Sequence, residues 1–408
     1  MHIPAQQLCS VSDFYRLMAQ TVPVRRAIVG AAERGRSIAP GAVDCLQNAL
    51  QSLTTLPTDG TSALLALNDT ARSPLVHLDL RYEIEELRRD VIFAQRGEAE
   101  LDTYLHSVHP HFDQQVQTLV APLREHPFVN LVTDRDGTIN NYCSHYLSSI
   151  QSAYNALYLC RYARTLRTAL ILTSAPLLYG GLADISTSPA HRIVLAGSKG
   201  RDYIDRYGHH HTLPLPPQQR AMLDKLNNHL EKLLSQSAYL PFTLIGSGFQ
   251  RKVGQTTIAR QDLGESIPRA DSDAFLQRVV ELVQQLDPGG ESFGIHDTTK
   301  DIEITLTIPA KPGEPAREFD KGDGVRLLDK FLNLRIAQYP TLICGDTASD
   351  LPMVEAALAL NPTQTRTIFV TTSPQLRERV ARLSASALFA DTPDVLITAL
   401  GVLRGMKG

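Results

Sequence analysis

The chain lacks the marks of several large classes of protein. No stretch offers about 18 uninterrupted apolar residues, so no transmembrane helix is expected. The start, MHIPAQQLCSVSDFY, has no basic segment followed by an apolar run, and a signal peptide is not expected either. The formal net charge is only −3, which makes no electrostatic case for nucleic acid or an anionic membrane. The five cysteines (Cys9, Cys45, Cys143, Cys160 and Cys344) are odd in number, scattered, and never spaced as CxxC. That argues against a zinc site or a disulfide framework and fits a reducing cytoplasm. Tryptophan is absent, and no function attaches to its absence. Internal repeats and low-complexity segments are missing too.

Core-forming material is plentiful. Hydrophobic residues make up 43% of 408 residues and charged residues 20%, which suits two or three globular domains. Residues 1–125 read as a helical domain, with helices near Val11–Gln20, Pro23–Arg34, Ala42–Leu53, Arg81–Ala94 and Glu98–Leu123. Pro110 must break or kink the last of these. Leu56–Ser73, rich in Thr, Gly, Ser and Asp, reads as a loop. The run EIEELRRD, Glu83–Asp90, reads as a solvated helix face laced with i,i+4 pairs.

At Phe128 the pattern turns to alternating strands and helices. The apolar runs Phe128–Val132, Thr168–Leu172, His191–Ala196, Tyr339–Ile343 and Thr367–Thr371 read as buried strands of a mostly parallel sheet. A helix is expected over His145–Arg167, and others over Gly324–Phe331, Leu351–Leu358, Gln375–Leu383 and Pro393–Leu403. Between Pro216 and Leu306 the order changes to αββαββ. Helices Pro216–Ser235 and Asp271–Leu286 alternate there with strands Phe242–Gly246, Lys252–Arg260, Ser292–His296 and Ile302–Thr307. The expected architecture is therefore α/β: a Rossmann-like core over residues 126–205 and 312–408, an inserted cap over 206–311, and a helical domain in front.

Four polar signals stand where core strands end or helices begin. They are Asp134-Arg135-Asp136-Gly137-Thr138, then Thr173, then Lys321, then Gly345-Asp346-Thr347-Ala348-Ser349-Asp350. Carboxylates crowded at the carboxyl edge of a parallel sheet repel one another unless they hold a divalent cation or share a proton. Any one of these Asp residues alone would read as an N-cap or turn residue. Together they suit phosphoryl transfer. In that chemistry Asp134 would attack phosphorus, and Asp136 would serve as general acid and then general base. Magnesium would be held by Asp134, the Asp136 carbonyl and Asp346, with Asp350 on a metal-bound water. Lys321 and Thr173 would balance the phosphoryl charge.

This set, DRDGT with Thr173, Lys321 and GDTASD, resembles the haloacid-dehalogenase superfamily of aspartyl phosphatases from Phe128 to the C-terminus. The αββαββ insertion is similar to the cap of sugar phosphatases, in particular trehalose-6-phosphate phosphatases. AGSKG, Ala196–Gly200, resembles that family's AGSHG-like loop, which implies substrate contacts from Gly197, Ser198 and Lys199. The same resemblance implies sugar contacts from Arg251, Lys252, Arg260 and Glu303 in the cap. Their plain alternative is a set of exposed charges on a solvated sheet.

The chain departs from the family where Ser174-Ala175 stands for Gly-Arg, where Lys199 stands for His, and where GDTASD stands for GDD-x-x-D-E-D. The resemblance therefore implies a sugar phosphate as substrate, with trehalose 6-phosphate first. Glucosylglycerol, sucrose and mannosylglycerate phosphates stay open. A phosphomutase and a non-catalytic regulatory protein stay open as other classes. The helical domain is a candidate surface for self-association or a protein partner. His209-His210-His211 reads as a surface or hinge loop, because three adjacent side chains cannot all face one ion. Cys143 is given no catalytic role.

Overall fold

A computed structural model describes residues 2–59, 62–67, 75–308 and 316–403. Its centre is an eight-stranded sheet. In spatial order the strands are Leu388–Ala390, Thr365–Val370, Thr341–Gly345, Asn130–Thr133, Thr168–Leu172, Val194–Gly197, Asp202–Ile204 and His210–Thr212. All pairings from Leu388–Ala390 to Val194–Gly197 are parallel, and the last two strands add an antiparallel hairpin. The central strands are apolar runs because both of their faces are covered. Side chains alternate across the sheet, so Val132, Leu170, Leu172, Ile343 and Phe369 pack beneath helices Lys321–Phe331 and Leu351–Leu360. Leu131, Ala169, Ile171, Leu342 and Ile368 point the other way, toward helices Ala153–Ala163 and Pro393–Leu403.

That second face is also where the N-terminal helices sit. Phe14, Leu17, Leu46, Leu87, Leu119 and the sheet residues belong to one continuous buried cluster. The N-terminal region is thus packed onto the core rather than tethered beside it. Its first helix is a single element, Val11–Glu33, with Pro23 inside it, where the sequence reading places two. Ser10 and Asp13 close a capping box at its start. The predicted break at Pro110 separates Glu98–Val108 from Phe112–Arg124. The loop expected over Leu56–Ser73 needs correction. Thr58–Asp59, Ser62–Ala66 and Leu75–Leu78 form a small antiparallel sheet, and residues 60–61 and 68–73 lie outside the described residues.

The inserted layer has an antiparallel sheet ordered Phe293–Asp297, Asp301–Ile308, Gln255–Ala259, Phe249–Lys252. One face is apolar: Ile258, Ile302, Ile304 and Phe293 pack on helices Pro217–Leu234 and Arg269–Leu286 through Leu226, Phe275 and Val279. The other face carries Lys252, Thr257, Glu303 and Thr305. The strand expected over Phe242–Gly246 is instead a helical turn, Pro241–Leu244, followed by a left-handed Gly246. Proline at its start pre-sets helical φ, which outweighs the apolar run. The strand expected over Lys252–Arg260 divides into two at Val253-Gly254. The helix expected over His145–Arg167 begins only at Ala153; residues before it form a loop with one tight turn, Tyr146–Ser148. Among the described residues no helix is long and apolar enough to cross a membrane.

Candidate active site

The carboxyl ends of adjacent strands Asn130–Thr133 and Thr341–Gly345 bring Asp134 and Asp346 together. Helix Lys321–Phe331 begins beside them, its N-terminus fixed by a capping box of Asp320 and Asp323. Its first residue, Lys321, is buried and donates to Asp134 Oδ1 at 2.7 Å and to Asp350 Oδ1 at 2.6 Å. The other Asp350 oxygen accepts the backbone N–H groups of Asp346 and Thr347, each at 3.0 Å. Thr138 Oγ1 donates to Asp346 Oδ1 at 3.1 Å. Gly137 has φ of 82°, and a Cβ there would strike the Asp346 carboxylate. A side chain at Gly345 would likewise strike Asp350.

Three carboxylates thus crowd together, and one ammonium bonds to two of them. Oxygens of Asp134, Asp346 and Asp350 lie within 4.8 Å of one another. Burial and the neighbouring carboxylates push Asp346 up to about 9. Burial, against the pull of Lys321, pushes Asp134 up to about 7. For Asp350 burial is outweighed by Lys321 and the two N–H groups, which hold its carboxyl below the usual range. A divalent cation fits this set: the donors are hard oxygens, the negative charge exceeds what Lys321 balances, and an added cation relieves the repulsion.

Asp136 turns away from this cluster into the cleft beneath the cap. Its Oδ1 accepts from Ser149 Oγ at 2.9 Å and from Arg135. Arg135 is fully buried and also donates to Ser149 Oγ, at 2.9 Å, and to the Ser149 carbonyl. The cleft, of about 150 Å³, is lined by Asp136, Tyr142, Ser149, Ser247, Lys300 and Asp301. Thr173 is buried at the end of the neighbouring strand. Its carbonyl accepts the Lys199 N–H at 2.9 Å, which ties it to the Gly197–Gly200 loop. Ser198 Oγ accepts the Val253 N–H at 3.1 Å, so the same loop holds the cap hairpin.

The structure divides the expected cap residues. Lys252 is buried on the polar face, donates to Thr257 Oγ1 at 2.8 Å, and is drawn down to about 8 by burial, with Glu303 opposing. Burial also lowers Lys199, again against Glu303. Lys199, Lys252 and Glu303 therefore share one neighbourhood. Arg251 and Arg260 are not brought there. Strand alternation puts Arg251 on the opposite face, where it pairs with Glu231. Arg260 donates to Ser272 at 3.0 Å and to Asp297 at 2.6 Å, and it also pairs with Asp273, all within the cap.

Sequence reading missed one support altogether. Glu83–Asp90 is not a solvated face. Glu83, Glu86 and Asp90 are buried, and their helix, Arg81–Arg96, packs against the loop that carries Asp136. The Tyr82 hydroxyl donates to the Ile150 carbonyl at 2.8 Å and accepts from Asn140 Nδ2 at 2.8 Å. Glu83 accepts from Ser148, and Glu86 accepts from Asn141 at 2.9 Å. Asp90 accepts the Ala153 N–H at 2.6 Å and pairs with Arg25 at 2.5 Å. Arg89 reaches Asp394 at 3.1 Å. The only signal in the sequence was an unusual density of charge, which looks the same on a wet helix as on one facing distant partners.

Comparison with known proteins gives two family matches. Residues 131–396 match the trehalose-6-phosphate phosphatase C-terminal family, and residues 10–111 match the trehalose-6-phosphate phosphatase N-terminal helical bundle domain. The Caenorhabditis elegans alpha,alpha-trehalose-phosphate synthase [UDP-forming] 2 is 32% identical over 97% of this chain, which spans only 33% of that relative. A Brugia malayi trehalose-phosphatase is 28% identical over 96% of this chain and 85% of its own. A solved trehalose-6-phosphate phosphatase related protein aligns at 16% identity with a TM-score of 0.46, over 68% of this chain and 97% of its own. The chain belongs to the trehalose-6-phosphate phosphatase C-terminal family and carries the matching helical bundle domain ahead of it.

Proposed function

We propose that the chain hydrolyses trehalose 6-phosphate to trehalose and inorganic phosphate through an aspartyl-phosphate on Asp134. The observation that carries this reading is the division of labour between the two Asp residues of one turn. Asp134 is buried against Lys321 and the acidic cluster, while Asp136 faces the cleft on a fixed hydrogen bond. An oxygen of Asp134 attacks phosphorus, and the departing sugar oxygen takes its proton from Asp136. Asp136 then removes a proton from water, which attacks phosphorus and releases Asp134. Lys321 and Thr173 hold the phosphoryl oxygens. Magnesium would be held by Asp134, Asp346 and the Asp136 carbonyl, with Asp350 on a metal-bound water, and would neutralise phosphoryl charge.

On this reading residues 206–311 close over the sugar and exclude bulk water. Lys199, Lys252 and Glu303 meet its hydroxyls. Gln255 Nε2 and Thr305 Oγ1, buried without partners, support a polar ligand at this face. Gly197 and Ser198 shape the loop beneath it. The names of the matched relatives favour trehalose 6-phosphate over the other sugar phosphates. The N-terminal bundle braces its own catalytic loop, which accounts for its buried polar face without a partner. A cytoplasmic setting belongs to the same reading and suits the scattered thiols.

The test is phosphate release across trehalose 6-phosphate, sucrose 6-phosphate, glucosylglycerol phosphate and hexose phosphates, with magnesium and with EDTA. Magnesium-dependent release from trehalose 6-phosphate above the rest is expected. Release that EDTA does not abolish, or a preference for another sugar, would overturn the respective part.

A further inference from the structure

The hairpin that leads into the cap gathers a second set of ligating side chains, none of them shared with the acidic cluster. Strands Asp202–Ile204 and His210–Thr212 pair antiparallel at the edge of the core sheet. Alternation along the second strand sends His210 to one side, where its Nε2 lies 2.6 Å from Asp202 Oδ1. His209 and His211 go to the other side and meet Asp205. A single oxygen, Asp205 Oδ2, lies 2.9 Å from His211 Nε2 and 3.4 Å from His209 Nδ1. The other oxygen accepts the backbone N–H groups of Tyr207 at 2.8 Å and His209 at 3.0 Å. Those two bonds fix the carboxylate with Oδ2 facing the imidazoles, the kind of support that metal ligands receive. Tyr203 stacks on His211 with ring centroids 4.7 Å apart and limits its rotation.

We propose that Asp205, His209 and His211 form a site for an imidazole-preferring transition metal of the zinc, nickel or copper kind. Their ligand atoms all lie within 4.8 Å of one another. Ligand atoms around a tetrahedral ion with bonds of about 2.0–2.1 Å stand roughly 3.3 Å apart, so small side-chain rotations complete the set. Two imidazoles and one carboxylate select against magnesium, which prefers the all-oxygen cluster of the core. The two histidines are exposed, which gives an ion access and leaves its remaining positions to water. The second strand runs straight into the cap linker, where the Leu213 N–H donates to the Arg201 carbonyl at 2.7 Å. An ion here ties both ends of the hairpin turn together at the root of the cap.

The test is a cobalt(II) titration of the full chain in excess magnesium, followed by visible absorption. The site predicts one saturable equivalent, displaced by zinc. Affinity should fall at least tenfold in His209→Ala and in His211→Ala, and stay within twofold in His210→Ala, whose ring faces Asp202. The proposal is overturned by the lack of a saturable band, or by a band retained in the His209→Ala/His211→Ala double variant. Loss in His210→Ala equal to that in His211→Ala would overturn it too. All of these positions are exposed, so circular dichroism of each variant should match the parent.

Discussion

The Ser149 hydroxyl donates to Asp136 Oδ1 at 2.9 Å, and buried Arg135 bonds to both residues. The proposed general acid is thus held by a residue 13 positions along the chain. Ser149→Ala should leave the fold intact and lower kcat roughly tenfold, the effect of about 1.4 kcal/mol in the transition state, with KM little changed. Steady-state kinetics on trehalose 6-phosphate read this directly. A raised KM with unchanged kcat would assign Ser149 to substrate binding instead.

Gly137 tests the closeness of the two motifs. Its positive φ and its contact with Asp346 leave no room for a methyl group. Gly137→Ala should reduce turnover by at least 100-fold while thermal stability falls only modestly, because the collision displaces the turn that carries the proposed nucleophile and acid rather than the core. Near-normal turnover would show that the turn relaxes freely.

Glu83 offers a pH test away from the carboxylate cluster. Burial raises it from its ordinary 4.5 to about 7, against hydrogen bonds from Ser148 and Cys143, and its Oε2 has no partner. The folded state therefore keeps a proton that the unfolded chain gives up first. The resulting stability is full below about pH 4.5 and lost as pH rises through about 7. Glu83→Gln removes this slope. Relative to the parent, it should gain roughly 1–3 kcal/mol in urea unfolding at pH 8 compared with pH 5. An equal difference at both pH values would contradict a raised Glu83.

The Arg25–Asp90 pair lies wholly out of solvent at 2.5 Å. Arg25→Met strands the Asp90 charge and should cost about 3–5 kcal/mol, whereas Arg25→Met/Asp90→Leu should recover much of it. Chemical denaturation of both variants checks the coupling.

The gathering of the candidate site's residues at one sheet edge was legible in the sequence because it obeys a local rule. Short apolar runs ended in Asp134, Thr173 and Asp346, and a buried parallel strand delivers its last residues to one edge whatever surrounds it. The order of cap elements was legible for a similar reason, although Phe242 was drawn into a helical turn by Pro241. What remained illegible depended on long-range facing. Lys252 and Arg251 are neighbours, and only the register with Gln255 and Thr256 decides which looks toward the core. Glu83, Glu86 and Asp90 carry the i,i+4 charge pattern of a wet helix. Their partners Ser148, Asn141 and Ala153 lie 65, 55 and 63 residues away, beyond any local signal. Likewise His209 and His211 share a side only because the hairpin turn returns Asp205 to them.

The most direct test of the central claim is phosphate release from trehalose 6-phosphate by Asp134→Asn, beside the parent and with magnesium present. The account predicts a folded protein whose turnover falls at least 1,000-fold, since the attacking oxygen is replaced by an amide. Parent-like turnover by a well-folded Asp134→Asn protein would contradict the aspartyl-phosphate mechanism.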